Sequence, residues 1–237
     1  MKLLFENWRK YLNEGIDPRI QKQIDMLLAL PDVTVRLQST SGMAGAEGFL
    51  INYVRTGEGA PKTLTRKDST VYSPEDKKQT KTGYPHGYVE IFRDQHDTGP
   101  CLDSWIVYNT MAEQGWGPLL YEVALEWASQ NGGGLAPDRS IVSSLAQAVW
   151  NKYAARSGVG RKQMDIDHTG HGTTIDGSDL EDYPQLTPDI KADDCDQSMA
   201  VDDAGAKWHE SSLSKMYYKG TPEVMTALKE AGRLIEG

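Results

Sequence analysis

The sequence predicts an α/β domain with a helical segment before it and an acidic extension after it. Two observations predict the domain and a third predicts the extension. Strand-like and helix-like apolar patterns alternate between residues 17 and 157, and a Gly-x-Gly turn joins one of the strands to an amphipathic helix. Ten acidic residues and one lysine lie between Asp165 and Asp196, a local balance of −9 that equals the net charge of the whole chain.

At 237 residues, the chain is long enough for one core with appendages. Residues 1–31 read as a helical segment, 32–157 as the core, and 158–237 as an acidic loop extension ending in a helix packed on that core. Hydrophobic residues make up 38%, enough to bury a core, and no apolar run is long enough to span a bilayer. The net charge and its confinement to one stretch argue against a sequence-independent nucleic-acid binder, which needs a basic footprint.

At the amino terminus, Glu6 and Arg9 interrupt the apolar residues too early for a secretion signal. Leu4, Trp8, Tyr11 and Leu12 fall on one face of a short helix, either packed on its own domain or recognised by another protein. A second helix is expected over residues 17–30. Asp17 would be its cap, Pro18 its first position, and Ile20, Ile24, Leu27 and Leu28 its apolar face, with Pro31 ending it. Residues 33–37 and 48–55 read as strands joined by a small-residue turn. Residues 57–83 are polar, rich in Gly, Pro and Lys, and read as a long surface loop or extended hairpin, or as a clamp over an anionic tail. Residues 87–93 return as a strand.

Residues 104–109 form the strand before the glycines, with Trp105 and Val107 on one face and Ile106 and Tyr108 on the other. Gly115 and Gly117 permit a tight turn and close main-chain approach, and Pro118 suits a helix start. Leu119, Leu120, Val123, Ala124, Trp127 and Ala128 then recur at helical spacing. The unpaired N–H groups and positive end of such a helix hold a phosphate anion well. After a triple-glycine turn and a presumed fifth strand, Ser143 or Ser144 caps a helix carrying Leu145, Ala148, Val149 and Lys152. The acidic stretch shows no apolar period. Residues 213–218 read as a last strand, and Thr221 as the cap of a closing helix with Val224, Leu228, Ala231 and Leu234 on its face.

Strand, glycine turn, helix, short strand and helix, in that order, resembles the GNAT superfamily of acyl-CoA-dependent N-acyltransferases over roughly residues 33–157. The resemblance implies a mixed, mostly antiparallel central sheet flanked by helices, with acetyl-CoA as co-substrate and an amine of unknown identity as acceptor. The family's loop begins with Arg or Gln, then carries glycines; here the leading position is Ala112, while Gly115 and Gly117 match. The family's fourth helix commonly carries a tyrosine that reprotonates the CoA thiolate. Residues 146–156 match that helix, with Trp150 at the aligned position and Tyr153 one turn later. The phrasing of residues 1–14 and of the carboxyl-terminal half is similar to phage-encoded acetyltransferase-like proteins. That similarity implies a host-cytoplasmic or virion setting and a phage particle or scaffold protein as a possible partner of the amino-terminal helix.

On this resemblance the pyrophosphate meets the amides of Gln114, Gly115, Trp116, Gly117 and Leu119, and the thioester lies along Val107 and Asn109. Arg139 is a further phosphate contact, or a helix-entry residue paired with Asp138. Asp103, preferred, or Glu90 serves as general base. Tyr153 serves as acid, with Tyr108 second. The alternative is a catalytically inactive protein of the same fold.

His168, His171, Asp165, Asp167 and Asp176 are competent metal ligands, but their spacing matches no zinc or calcium pattern and no metal is assigned. Cys101 and Cys195 belong to no paired spacing. A reducing, intracellular setting is the simplest inference, with a disulfide left for a distance to decide.

Overall fold

The computed structural model describes residues 16–41, 46–56, 72–73, 78–79, 85–93, 101–138, 141–168, 177 and 179–237. The expected amino-terminal helix, most of the 57–83 loop, Arg139, His171 and Asp176 lie outside the described residues.

Helix α1 spans Pro18–Leu28, followed by strands β1 (Val33–Ser41), β2 (Glu47–Arg55), β3 (Gly87–Arg93) and β4 (Ser104–Ala112). Helix α2 (Gly117–Gln130), β5 (Gly134–Ala136) and α3 (Ser144–Ala155) complete the middle of the chain. The extension holds β6 (Gly160–Gln163), β7 (Asp165–Ile166), β8 (Asp194–Cys195) and α4 (Ser198–Ala204). The chain closes with β9 (Lys215–Tyr218), α5 (Glu223–Glu230) and β10 (Leu234–Glu236). Residues 72–73 and 78–79 pair as two short antiparallel strands.

One eight-stranded mixed sheet organises these elements, in the order β10-β1-β2-β3-β4-β5-β9-β6. β1 to β4 are antiparallel neighbours, β4 and β5 run parallel, and β10 adds in parallel to the edge at β1. Val35, Leu37, Ile51, Val89, Ile91, Trp105 and Val107 alternate onto one face, where α1, α2 and α3 cover them. Ile106 points the other way, toward Cys101, Ala136, Met164, Cys195 and Met216. The face assignments read for residues 104–109 thus match the structure, although the strand runs three residues further.

Helix α1 begins as its sequence dictates. The Asp17 side chain accepts from the Arg19 N–H at 2.8 Å, and Pro18 stands at the first helical position. Its buried face is Ile20, Gln23, Ile24 and Leu27, so a glutamine takes a place among the apolar residues. Helix α2 is buried nearly all round, including Glu122 and Glu126 at its inner side. Their charges are met there: Lys219 Nζ lies 3.1 Å from Glu122 and 2.6 Å from Glu126, and Arg156 lies 2.7 Å from Glu122. Glu126 also accepts the first-turn N–H groups of Val224 and Met225 at 3.0 and 2.7 Å, which joins α2 to the start of α5.

Three expectations are corrected. In α3, capped by Ser143, the inward residues are Trp150 and Tyr153, while Leu145 is exposed, because the helix meets Tyr217 of β9 and Tyr121 of α2 with its later turns. The closing helix stops at Glu230 and Leu234 lies in β10. Gly232 takes a positive φ of 65°, and the Arg233 N–H closes on the Leu228 carbonyl at 2.7 Å, a helix-ending turn that frees the tail to pair with β1. Its amino-terminal boundary residue is Pro222; the Thr221 hydroxyl donates to Glu223 instead.

Cys101 and Cys195 form a disulfide, which removes the basis for inferring a reducing setting. It fastens the acidic extension to the residues entering β4. The extension is irregular, as its lack of period implies, yet it has a small core of its own in Ile166, Leu180, Val201 and Trp208. The triple-glycine turn before β5 serves close packing: a Cβ at Gly133 would stand 1.9 Å from the Leu102 carbonyl oxygen. No helix among the described residues is long and apolar enough to cross a membrane.

Candidate functional site

A cavity of about 410 Å³ opens where β4 and β5 part. The two strands pair over Ser104–Gly134, Trp105–Leu135 and Ile106–Ala136, and there the pairing ends. Two local features end it. Pro137 follows Ala136 and has no N–H to continue the ladder. On the other side of β4, Glu90 pairs with Asn109 and Ile91 with Val107, so Tyr108 is an extra residue in a bulge, which bends and twists the strand. Val107, Tyr108, Asn109 and Thr110 form one wall of the cavity; Asp138 and residues 141–143 form another, and α3 contributes Ala146 and Trp150. Tyr121 of α2 completes the lining.

The end of β4 leads from this cavity directly into the glycine turn. Gly115 has φ +91°, a conformation that only glycine adopts easily, and a Cβ there would meet nothing within 4 Å. A Cβ at Gly117 would lie 3.4 Å from that of Ala112. The space before the turn is open.

Five amides are expected at this turn, and two of them are taken internally. The Trp116 N–H donates to the Glu113 carbonyl at 3.0 Å, closing the turn. The Leu119 N–H donates to the Gln23 side chain at 2.5 Å, so the glutamine on the apolar face of α1 caps the first turn of α2. Gln114, Gly115 and Gly117 retain amides with no hydrogen-bond partner among the described residues. Three such groups at the start of a fourteen-residue helix suit an anion. The Trp116 ring is not available as a face for a ligand, since it stacks on His86 at 4.2 Å and meets Tyr53 edge-on at 5.2 Å. His86 pairs in turn with Glu113 at 2.8 Å, and the Tyr53 hydroxyl donates to the Trp116 carbonyl at 3.0 Å.

The preferred acid and both bases fall elsewhere, whereas Tyr108, the second choice of acid, lies in the cavity wall. Asp103 stands before the far end of β4, six residues or about 20 Å from Asn109, and its carboxylate accepts from Arg93 Nε and Nη2 at 3.0 and 2.5 Å. Glu90 lies one strand away from the cavity wall, opposite Asn109. Tyr153 is buried behind Trp150, and its hydroxyl faces Glu122 at 3.5 Å within the charged network. Burial, reinforced by the Glu122 charge, holds its phenol protonated well above the usual range. None of the three lines the cavity.

The structure places two other groups there. Asp138 is the carboxylate in the lining; one of its oxygens accepts from the Ile141 N–H at 3.2 Å, which fixes the turn between β5 and α3. Tyr121 is nearly inaccessible, and its hydroxyl has no hydrogen-bond partner among the described residues. Burial pushes its phenol up to about 12, while the neighbouring Thr110 hydroxyl opposes this slightly; Thr110 itself donates to the Tyr88 carbonyl at 3.3 Å. A buried phenol held protonated and facing a cavity can donate to an acceptor that enters. The lining therefore combines a carboxylate, a protonated phenol and an aromatic floor beside an amide-rich turn.

Sequence reasoning singled out Val107, Tyr108 and Asn109, which form the cavity wall, but passed over Tyr121 and Gln23 and took Asp138 only as a partner for Arg139. Tyr121 sits one turn beyond Gly117 and was hidden among the apolar residues of the helix. A glutamine at helical spacing between Ile20 and Leu27 was a visible signal for Gln23. No protein-family model matches this chain, and neither does any curated protein or solved structure.

Proposed function

We propose that the protein is an N-acyltransferase of the GNAT type, moving an acetyl group from acetyl-CoA to an amine. The observation that carries this reading is the parting of β4 from β5 beside the glycine turn: it supplies a slot for a thioester and amides for a diphosphate in one continuous stretch of chain. The acyl carbon would lie along Val107–Asn109 and the diphosphate at Gln114–Gly117. Asp138 takes a proton from the attacking amine, directly or through water, as the C–N bond forms. The C–S bond then breaks, and Tyr121 gives its proton to the departing thiolate. The acceptor amine approaches across Ile141, at the rim of the cavity.

A second reading is favoured by Gln23, which occupies the Leu119 amide that a diphosphate would use. On that reading the chain is a non-catalytic structural or interaction protein of a bacteriophage that keeps the architecture. Calorimetry with acetyl-CoA separates the two. Saturable binding is expected, and Gly117→Trp, which fills the approach to the turn, is expected to abolish it. No binding at millimolar acetyl-CoA would leave the second reading standing.

A further inference from the structure

The acidic extension gathers carboxylates in a way that its sequence spacing did not reveal. β7 and β8 pair in parallel, with Asp194 beside Asp165 and Cys195 beside Ile166. Carboxylate oxygens of Asp165, Asp193 and Asp194 come within 4.8 Å of one another. That separation matches the span across a single ion with bonds of about 2.3–2.6 Å to oxygen.

Among the described residues, the donors around these groups are fewer than the acceptors. Asp165 is held by the N–H groups of Ile166, Leu186 and Thr187 at 2.8, 3.0 and 2.6 Å. The Thr187 hydroxyl lies 3.0 Å from Asp165 and 3.1 Å from Asp193, and its one proton serves only one of them at a time. Asp194, more than nine-tenths buried, has Oδ1 shut off from solvent with no hydrogen-bond partner among the described residues. Among the described residues, the ionic groups acting on Asp194 are Asp165, Asp167 and Asp193, all of like charge, opposed by His168. Nε2 of His168 is also buried without a partner among the described residues. Three clustered carboxylates with no lysine or arginine paired to them among the described residues are unfavourable unless a cation enters.

We propose that Asp165, Asp193 and Asp194 form a binding site for one hard divalent cation of the calcium class. Oxygen donors alone select such an ion over the softer transition metals. The amides and hydroxyl on Asp165 act as its outer support, setting the carboxylate before the ion arrives. Because Cys195 follows Asp194 and is bonded to Cys101, an ion here locks the extension to the residues entering β4. The site shares no residue with the cavity lining, so it stands or falls apart from the acyltransferase reading.

The test uses the full chain with its disulfide intact, stripped with a chelator and titrated with calcium chloride, and in parallel with magnesium chloride, by calorimetry and thermal unfolding. One equivalent of calcium is expected to bind saturably and raise the melting temperature. Asp194→Asn, isosteric and one charge poorer, is expected to weaken binding at least about tenfold; Asp193→Asn provides the same comparison should Asp194→Asn not fold. Absence of saturable calcium binding and of any thermal shift in the unmutated chain overturns the proposal. So does unchanged affinity in a folded Asp194→Asn protein. Greater stability of Asp194→Asn than of an unresponsive parent would mean that a proton, rather than a cation, satisfies the cluster.

Discussion

Tyr121 lies one helical turn past Gly117 and lines the cavity beside Val107–Thr110. Its phenol is kept protonated by burial, against a slight opposing effect of the Thr110 side chain. Tyr121→Phe removes the oxygen and keeps the ring against Trp150. In an acetylation assay, this variant is expected to lower kcat by about 10²-fold with little change in the KM for acetyl-CoA. Loss of acetyl-CoA affinity with kcat preserved would instead mark Tyr121 as a packing residue. Tyr153, chosen from the sequence for its helix position, lies outside the cavity lining for a physical reason. Position along α3 was legible, but the direction of the later turns toward β9 depended on Tyr217, which arrives from 60 residues away.

At the scale of elements, the first 40 residues of the described core, the strand pairs and the α2 turn were legible from period and punctuation. Asp17–Pro18 started α1, Pro137 stopped β5, and alternation set the faces of β4. What the sequence left hidden came from contacts between elements, such as Gln23 of α1 entering α2, and the bulge at Tyr108. The position of α1 therefore matters to the site, and Asp17 maintains it. The Arg19 guanidinium holds the Asp17 carboxyl down at about 2, from an ordinary 3.8, against the opposing effect of burial. A carboxyl lowered in the folded state stabilises it above pH 3.8, and this contribution is lost as the pH falls through about 2. Asp17→Ala is expected to reduce unfolding free energy by about 1 kcal/mol at neutral pH. Urea unfolding between pH 5 and 2 should show the deficit shrinking with acid; a constant deficit would mean that the carboxylate charge plays no part.

At the scale of the whole molecule, two devices tie the extension to the sheet: the pairing of its strand β6 with β9 and the Cys101–Cys195 bond. The sequence revealed the charge of this stretch but not its anchorage, since two cysteines 94 residues apart carry no spacing signal. The bond closes a long loop, and its reduction is expected to lower stability by about 2–4 kcal/mol. Chemical unfolding with and without reductant measures this, and alkylation under denaturing, non-reducing conditions should leave both cysteines unmodified. Two alkylated cysteines in that sample would contradict the disulfide. Among the described residues, the extension contributes nothing to the cavity lining, which comes from the core.

Amide-resolved NMR during titration with acetyl-CoA tests the central claim most directly. The account predicts saturable shifts concentrated at Gln114, Gly115 and Gly117 and along Val107–Thr110. Saturable shifts confined to other surfaces, or no shifts at millimolar acetyl-CoA, would contradict it.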